Sequence, residues 1–209
     1  MLDRYRPGFS SAPSADASAG SFLTRISTNP VNAALLERLP ALGLPQGFLT
    51  AGCLFQAVWN HRSGQPAGQG VKDYDVFYFD DTDLSWEAED AVITAAGEMF
   101  ADLDAPVELR NQARVHLWYE QKFGTPCAPF ESARHAIDSF ASTTCSVAVT
   151  RRRRWDTMAD GLAVYAPYGT ADIVGMRLHP NRRLAPREVY ETKAAQYWER
   201  WPSLTVEPW

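Results

Sequence analysis

Apolar residues recur at two spacings along this chain. Recurrence every third or fourth position predicts helix, and alternation with polar residues predicts strand. Before residue 29 there is little of either. Residues 10–21 are Ser, Ala, Pro, Asp and Gly with almost nothing to bury, so residues 1–28 are expected to form a flexible tail. Asn29-Pro30 then opens a helix, with Asn29 as cap and Pro30 in the first turn. Val31, Leu35, Leu36 and Leu39 follow at helical spacing.

Gly43 and Pro45 end that helix, and residues 48–52 read as a short strand. A second helix starts over 54–59 and dissolves in the polar, Gly-rich segment 62–70. Residues 73–79, Asp-Tyr-Asp-Val-Phe-Tyr-Phe, form the clearest strand pattern in the chain. Ser85 is placed to cap a helix running to about residue 103. Glu87, Glu89 and Asp90 lie in its first turn, where the helix dipole favours acids. Short strands are expected at 107–109, 145–150 and 162–165, and helices at 111–123, 131–140 and 187–201. Asp172 is expected to cap one further helix. Helices and strands mix without strict alternation. That pattern predicts an α+β class, a small mixed sheet flanked by helices, formed as one domain over 29–209.

Composition narrows the function. The chain has 209 residues, 45% of them hydrophobic, and a net charge of -5. A mildly acidic protein is a poor candidate for sequence-blind DNA binding. No apolar run is long enough to span a membrane, and the N-terminus lacks the apolar middle of a secretory signal. Three widely spaced cysteines, Cys53, Cys127 and Cys145, fit reduced and buried thiols. A cytoplasmic location without a membrane partner is the expectation.

Asp73 and Asp75 carry the chemistry. Side chains two apart on a strand share a face, so two carboxylates sit side by side among Phe77 and Phe79. Like charges on a half-buried face repel unless a cation lies between them. A hard divalent ion, Mg²⁺ or Mn²⁺, answers that need with carboxylate and substrate-phosphate oxygens. The bland reading is two solvated strand caps, which is the commoner fate of an isolated Asp-x-Asp. Two neighbours tilt the balance. Gly52, with Cys53, lies at a strand-to-helix junction where backbone N–H groups can approach phosphate. Glu108 is an acid in an apolar strand. Three acids on adjacent strands facing a Gly turn suit metal-assisted phosphoryl transfer. No activated Ser, His or Cys is required for it.

With those residues in view, the chain resembles the polymerase-beta-like nucleotidyltransferases. It is most similar to a small bacterial nucleotidyltransferase-like family. The blocks that carry the likeness are AGCLFQAVW (51–59), DYDVFYFDD (73–81), VELRNQARVHLWYEQKFG (107–124), AIDSF (136–140), YAPYGTADIVGMRLHPN (165–181) and WPSLTVEPW (201–209). They span 31–209 and imply a nucleotidyltransferase fold with a C-terminal α/β extension. The resemblance implies metal ligands at Asp73 and Asp75, and Glu108 as a third ligand or as base for the acceptor hydroxyl. Gly52 and Cys53 would border the triphosphate. The expected partner is a nucleoside triphosphate (NTP), with a small molecule, RNA or protein as acceptor. Two departures stand out: Cys53 replaces the usual Ser or Gly, and Phe55-Gln56 replaces an Arg-Asn pair. They keep open a second class, a nucleotide-binding or regulatory module of this fold with reduced turnover.

The polar run beside Glu108 has two readings of equal weight. Arg114 could contact phosphate and Asn111 or Gln112 a base or sugar edge, or all three could satisfy buried backbone. His116 is expected to be structural. Arg151 to Arg154 read as a solvated hairpin tip, with an RNA-binding accessory role as the sharper alternative. His179 sits in a turn without a metal partner at ligand spacing. Trp198, Trp201 and Trp209 are expected to anchor the C-terminal segment by packing.

Overall fold

The computed structural model describes residues 15–151 and 161–209. Helix α1 (Ala15–Ile26) leads into α2 (Pro30–Arg38). Asn29 caps α2, its side-chain oxygen accepting from the Val31 and Asn32 amides. Strand β1 (Phe48–Thr50) runs straight into α3 (Gly52–Arg62), two residues earlier than the hydrophobic spacing indicates. Strand β2 (Tyr74–Tyr78), α4 (Trp86–Met99) and β3 (Val107–Asn111) follow. Ser85 caps α4 by accepting from the Ala88 amide at 3.2 Å. The helix expected over 111–123 divides into a 3-10 segment (Gln112–Leu117) and α5 (Tyr119–Phe123). The chain continues through α6 (Ala133–Asp138), β4 (Ala148–Arg151), β5 (Leu162–Tyr165), α7 (Ala171–Gly175), β6 (Arg177–Leu178), α8 (Arg187–Arg200) and β7 (Thr205–Val206).

Five strands make one mixed sheet in the order β3-β2-β1-β4-β5. Only β2 and β3 are parallel, joined by the α4 crossover. This is the α+β architecture that the unalternating pattern predicts, with helices on both sides. Register divides the sheet into two faces. Leu49 pairs with Val76 and Val149, and Val76 with Leu109. That row is buried in the larger core with Leu54, Val58 and Trp59 of α3. Each such aliphatic side chain contributes about 1.5–3 kcal/mol. The opposite face carries Phe48 and Ala148, which pack with Phe79, Val115, Tyr119 and Ile137 in a second core.

Four expectations are corrected. The tail expected over 1–28 gives way from residue 15 to α1, which places Phe22 and Ile26 in the main core, both with 0% exposure. Residues 1–14 lie outside the described residues. Two apolar anchors one helical turn apart suffice there, because α3 and α7 supply the rest of the surface. Asp172 lies in the first turn of α7 without capping it. Its carboxylate meets Arg177 at 2.9 Å and His179 at 3.5 Å, in and just after strand β6, which follows α7 directly. Trp198 is 54% exposed, whereas Trp201 is fully buried and its Nε1 donates to Asn60 at 3.0 Å. Among the thiols, Cys53 and Cys145 are buried and Cys127 is only half-buried.

Candidate functional site

The turn between β1 and α3 is strained. Ala51 holds φ 61° and ψ -137°, a region that a residue with a Cβ rarely enters and that costs of order 1–3 kcal/mol. By register the turn puts the start of α3 beside the start of β2. Gly52 is the first residue of that helix. A Cβ there would lie 2.7 Å from Gln56 Nε2, closer than any real contact. Cys53 is fully buried and donates its thiol to the Thr50 carbonyl at 3.2 Å. Burial, then the charge of Asp75, pushes that thiol well above its ordinary value, so it is no nucleophile.

Thr50, Asp75 and Glu108 are consecutive register partners across β1, β2 and β3. They therefore share one face, with strands about 4.8 Å apart. Asp73 precedes β2 by one residue and points the same way by strand alternation. Asp75 is half-buried and accepts no hydrogen bond from the described residues. Its carboxyl is pushed up to about 7, first by burial, then by the charges of Asp73 and Glu108; Lys193 of α8 and Arg110 pull it back. Glu108 is exposed and its carboxylate meets Arg110 at 3.3 Å, a cation two residues away on the same strand face. Asp75 and Glu108 are thus neighbours across the β2–β3 register, but Glu108 has a partner.

The polar run beside Glu108 belongs to another part of the molecule. Asn111 pairs with Tyr78 in register, on the face opposite Asp75. Its side chain accepts from the amides of Asp80 and Ala113, both at 3.1 Å, and donates to the Asp80 carbonyl at 2.7 Å. Gln112 is buried and donates to the Arg110 carbonyl at 3.1 Å. Arg114 donates to the Leu84 carbonyl at 3.0 Å and forms a buried ion pair with Glu89. Glu89 also accepts from the Asn111 amide at 2.8 Å. Glu89, through the Asn111 amide and Arg114, ties the end of β3 to the start of α4, and the Asn111 side chain ties it to the loop after β2. Arg151 pairs with Glu37 at 2.8 Å; Arg152 to Arg154 lie outside the described residues.

The helix expected over 187–201 forms as α8, but its contacts with α3 were not legible in the sequence. Tyr197 packs edge-on against Phe55 and Trp59, with centroids 5.5 and 5.6 Å away. Arg200 then reaches Gln56 Oε1 at 3.0 Å. Positions 56 and 200 are 144 apart, so only the helical pattern of α8 was visible in the chain.

The donor set of this face is hard oxygen. Among the described residues, no three His, Cys, Asp or Glu side chains form a ready-made metal group. Two half-buried carboxylates, one of them with its carboxyl pushed up to about 7 first by burial and then by the neighbouring acids, still fit Mg²⁺, which binds through one or two carboxylates and completes its shell with water and substrate phosphate. Among the described residues, no helix is long and apolar enough to cross a membrane.

Comparison with known proteins bears on this geometry. A family model described as nucleotidyltransferase matches residues 37–206. A solved NMR structure described as revealing a CCA-adding enzyme head domain superposes with a TM-score of 0.69 at 24% identity. The match covers 90% of this chain and 95% of that one, and at that identity it speaks to fold. Comparison with curated protein sequences returns no match.

Proposed function

The chain belongs to the nucleotidyltransferase family, and from that premise we propose that it transfers a nucleoside monophosphate from an NTP to an acceptor hydroxyl in a metal-dependent reaction. One observation carries the reading. Asp75 is an unpaired, half-buried carboxyl between two further acids, beside a helix N-terminus opened by glycine. Lys193 and Arg110 offset its burial and its like-charged neighbours only in part, so the fold gains nothing in stability from keeping the group.

Asp73 and Asp75 would hold Mg²⁺ or Mn²⁺, which when bound neutralises phosphate charge and lowers the pKa of an acceptor hydroxyl. The chain's own residues do the rest. The Gly52 and Cys53 amides at the α3 N-terminus donate to triphosphate oxygens, where the helix dipole favours anions. Gly52 leaves the backbone open to that approach. Lys193 adds positive charge on the side of α8. Glu108, in register with Asp75, is placed to accept the acceptor's proton once Arg110 turns away. Positioning and neutralisation suffice for phosphoryl transfer, so no covalent nucleophile is needed.

A second reading, a nucleotide-binding module with reduced turnover, draws on Glu108. Its pairing with Arg110 weakens it as ligand and base. Incubating the protein with each NTP in Mg²⁺ or Mn²⁺ and measuring pyrophosphate release separates the two. Release that depends on metal supports the transferase, and binding without release supports the module.

A further inference from the structure

Arg200 makes three hydrogen bonds, and together they connect the two halves of the proposed site. Nη1 donates to Gln56 Oε1 at 3.0 Å and to the Gly70 carbonyl at 2.9 Å. Nη2 donates to the Gln69 carbonyl at 2.9 Å. Its guanidinium lies 4.2 Å over the Trp201 ring, whose indole is fixed by Asn60 in the core. Stacking and a planar fork hold the group rigidly. Gly70 adopts φ +66°, and a Cβ there would fall 2.4 Å from Arg200 Nη2. The loop is therefore shaped around this side chain, three residues ahead of Asp73.

The consequence lies at Gln56. A guanidinium only donates, so the amide atom that faces Arg200 must be the oxygen. The amide nitrogen then points the other way, over Gly52. Among the described residues it donates to no protein group. A side-chain N–H pair is thus held at the first turn of α3, beside the backbone amides and on the same approach.

We infer that Gln56 is a phosphate-binding donor of the nucleotide site and that Arg200 is the positioning residue that orients it. The inference rests on the nucleotidyltransferase reading above and adds a side-chain contact to the triphosphate, with a C-terminal helix that sets it. It also gives the Phe55-Gln56 departure a physical role: the cation near the phosphates comes from α8 and acts through an amide.

The test uses the full chain, inorganic tripolyphosphate with Mg²⁺ as probe, and two variants. Gln56→Glu keeps an acceptor for Arg200 but removes the donor and adds charge. Gln56→Met removes the donor without adding charge, so it separates lost bonding from repulsion. Both should melt within a few degrees of wild type. Titration calorimetry should show tripolyphosphate affinity reduced roughly tenfold or more in Gln56→Met and further in Gln56→Glu, the scale of a hydrogen bond to a charged group. Arg200→Lys, which cannot satisfy three acceptors in the same plane, should weaken the probe less than Gln56→Met does. If wild type binds the probe and Gln56→Met binds it equally well, Gln56 is a structural bridge and the inference fails alone. If wild type binds neither the probe nor any NTP, the nucleotide reading fails and takes this inference with it.

Discussion

Two polar clusters adjoin strand β3, and they differ in what they leave undone. On one side Glu89, Asn111, Gln112 and Arg114 each pair with one another or with backbone. On the other, Asp75 stands between Asp73 and Glu108 with its carboxyl pushed up to about 7. The first cluster is what folding makes of buried polarity: each side chain has a partner and the α4–β3 junction is fixed. The second is what folding alone would not keep. In the sequence Glu108 lies three residues before Asn111, and the polar run that starts there can be read as functional as well as structural.

Breaking the satisfied cluster should have the largest effect. Glu89→Leu leaves the Arg114 guanidinium and the Asn111 amide without their acceptor. Removing one partner of a buried pair costs about 3–5 kcal/mol. For a chain of this size that lowers the melting temperature by roughly 10 °C, read by calorimetry. A loss under about 1 kcal/mol would mean that the cluster is not the girder described here.

Breaking the unsatisfied cluster should have the opposite sign. Asp75's folded value of about 7 lies above the ordinary 3.8. Between those values the native state holds a proton that the unfolded chain has released. Stability of the metal-free protein should therefore fall as pH rises from about 4 to about 7 and stay lowered above that. Asp75→Asn should flatten this slope and add about 2–4 kcal/mol at pH 8, before solvent screening. Melts in chelator across that range check both the sign and the window.

Glu108→Gln should be the smallest change. Its pair with Arg110 has both side chains nearly half exposed, and such pairs contribute about 0–1 kcal/mol. Melting should move by less than about 2 °C. Pyrophosphate release should fall at least tenfold if Glu108 serves the acceptor, which sharpens the contrast between a stabilising acid and a working one.

How much of this was legible depended on range. The period-2 pattern over 73–79 put Asp73 and Asp75 on one face, and β2 forms there. Asn29 and Ser85 announced their helices through local capping chemistry. The pairing of Asp75 with Glu108 needed the order of the sheet, which no local pattern carries. The Glu89–Arg114 pair spans 25 positions and decides that Arg114 is structural. Glu89 was read only as an acid favoured by a helix dipole. Helix α1 was missed because small residues dilute its anchors; Phe22 and Ile26, four apart, were the signal available. The two-residue strands β6 and β7 are too short to show a period.

The central claim is that the acid face is a metal and nucleotide site. Paired calorimetric melts of wild type and Asp75→Asn, each with and without Mg²⁺ and an NTP, test it most directly. Binding raises stability by RT ln(1 + [L]/Kd), so wild type should gain melting temperature only when metal and NTP are both present, and Asp75→Asn should gain almost none. If the two proteins respond alike, Asp75 is not a ligand and the assignment of this face is wrong.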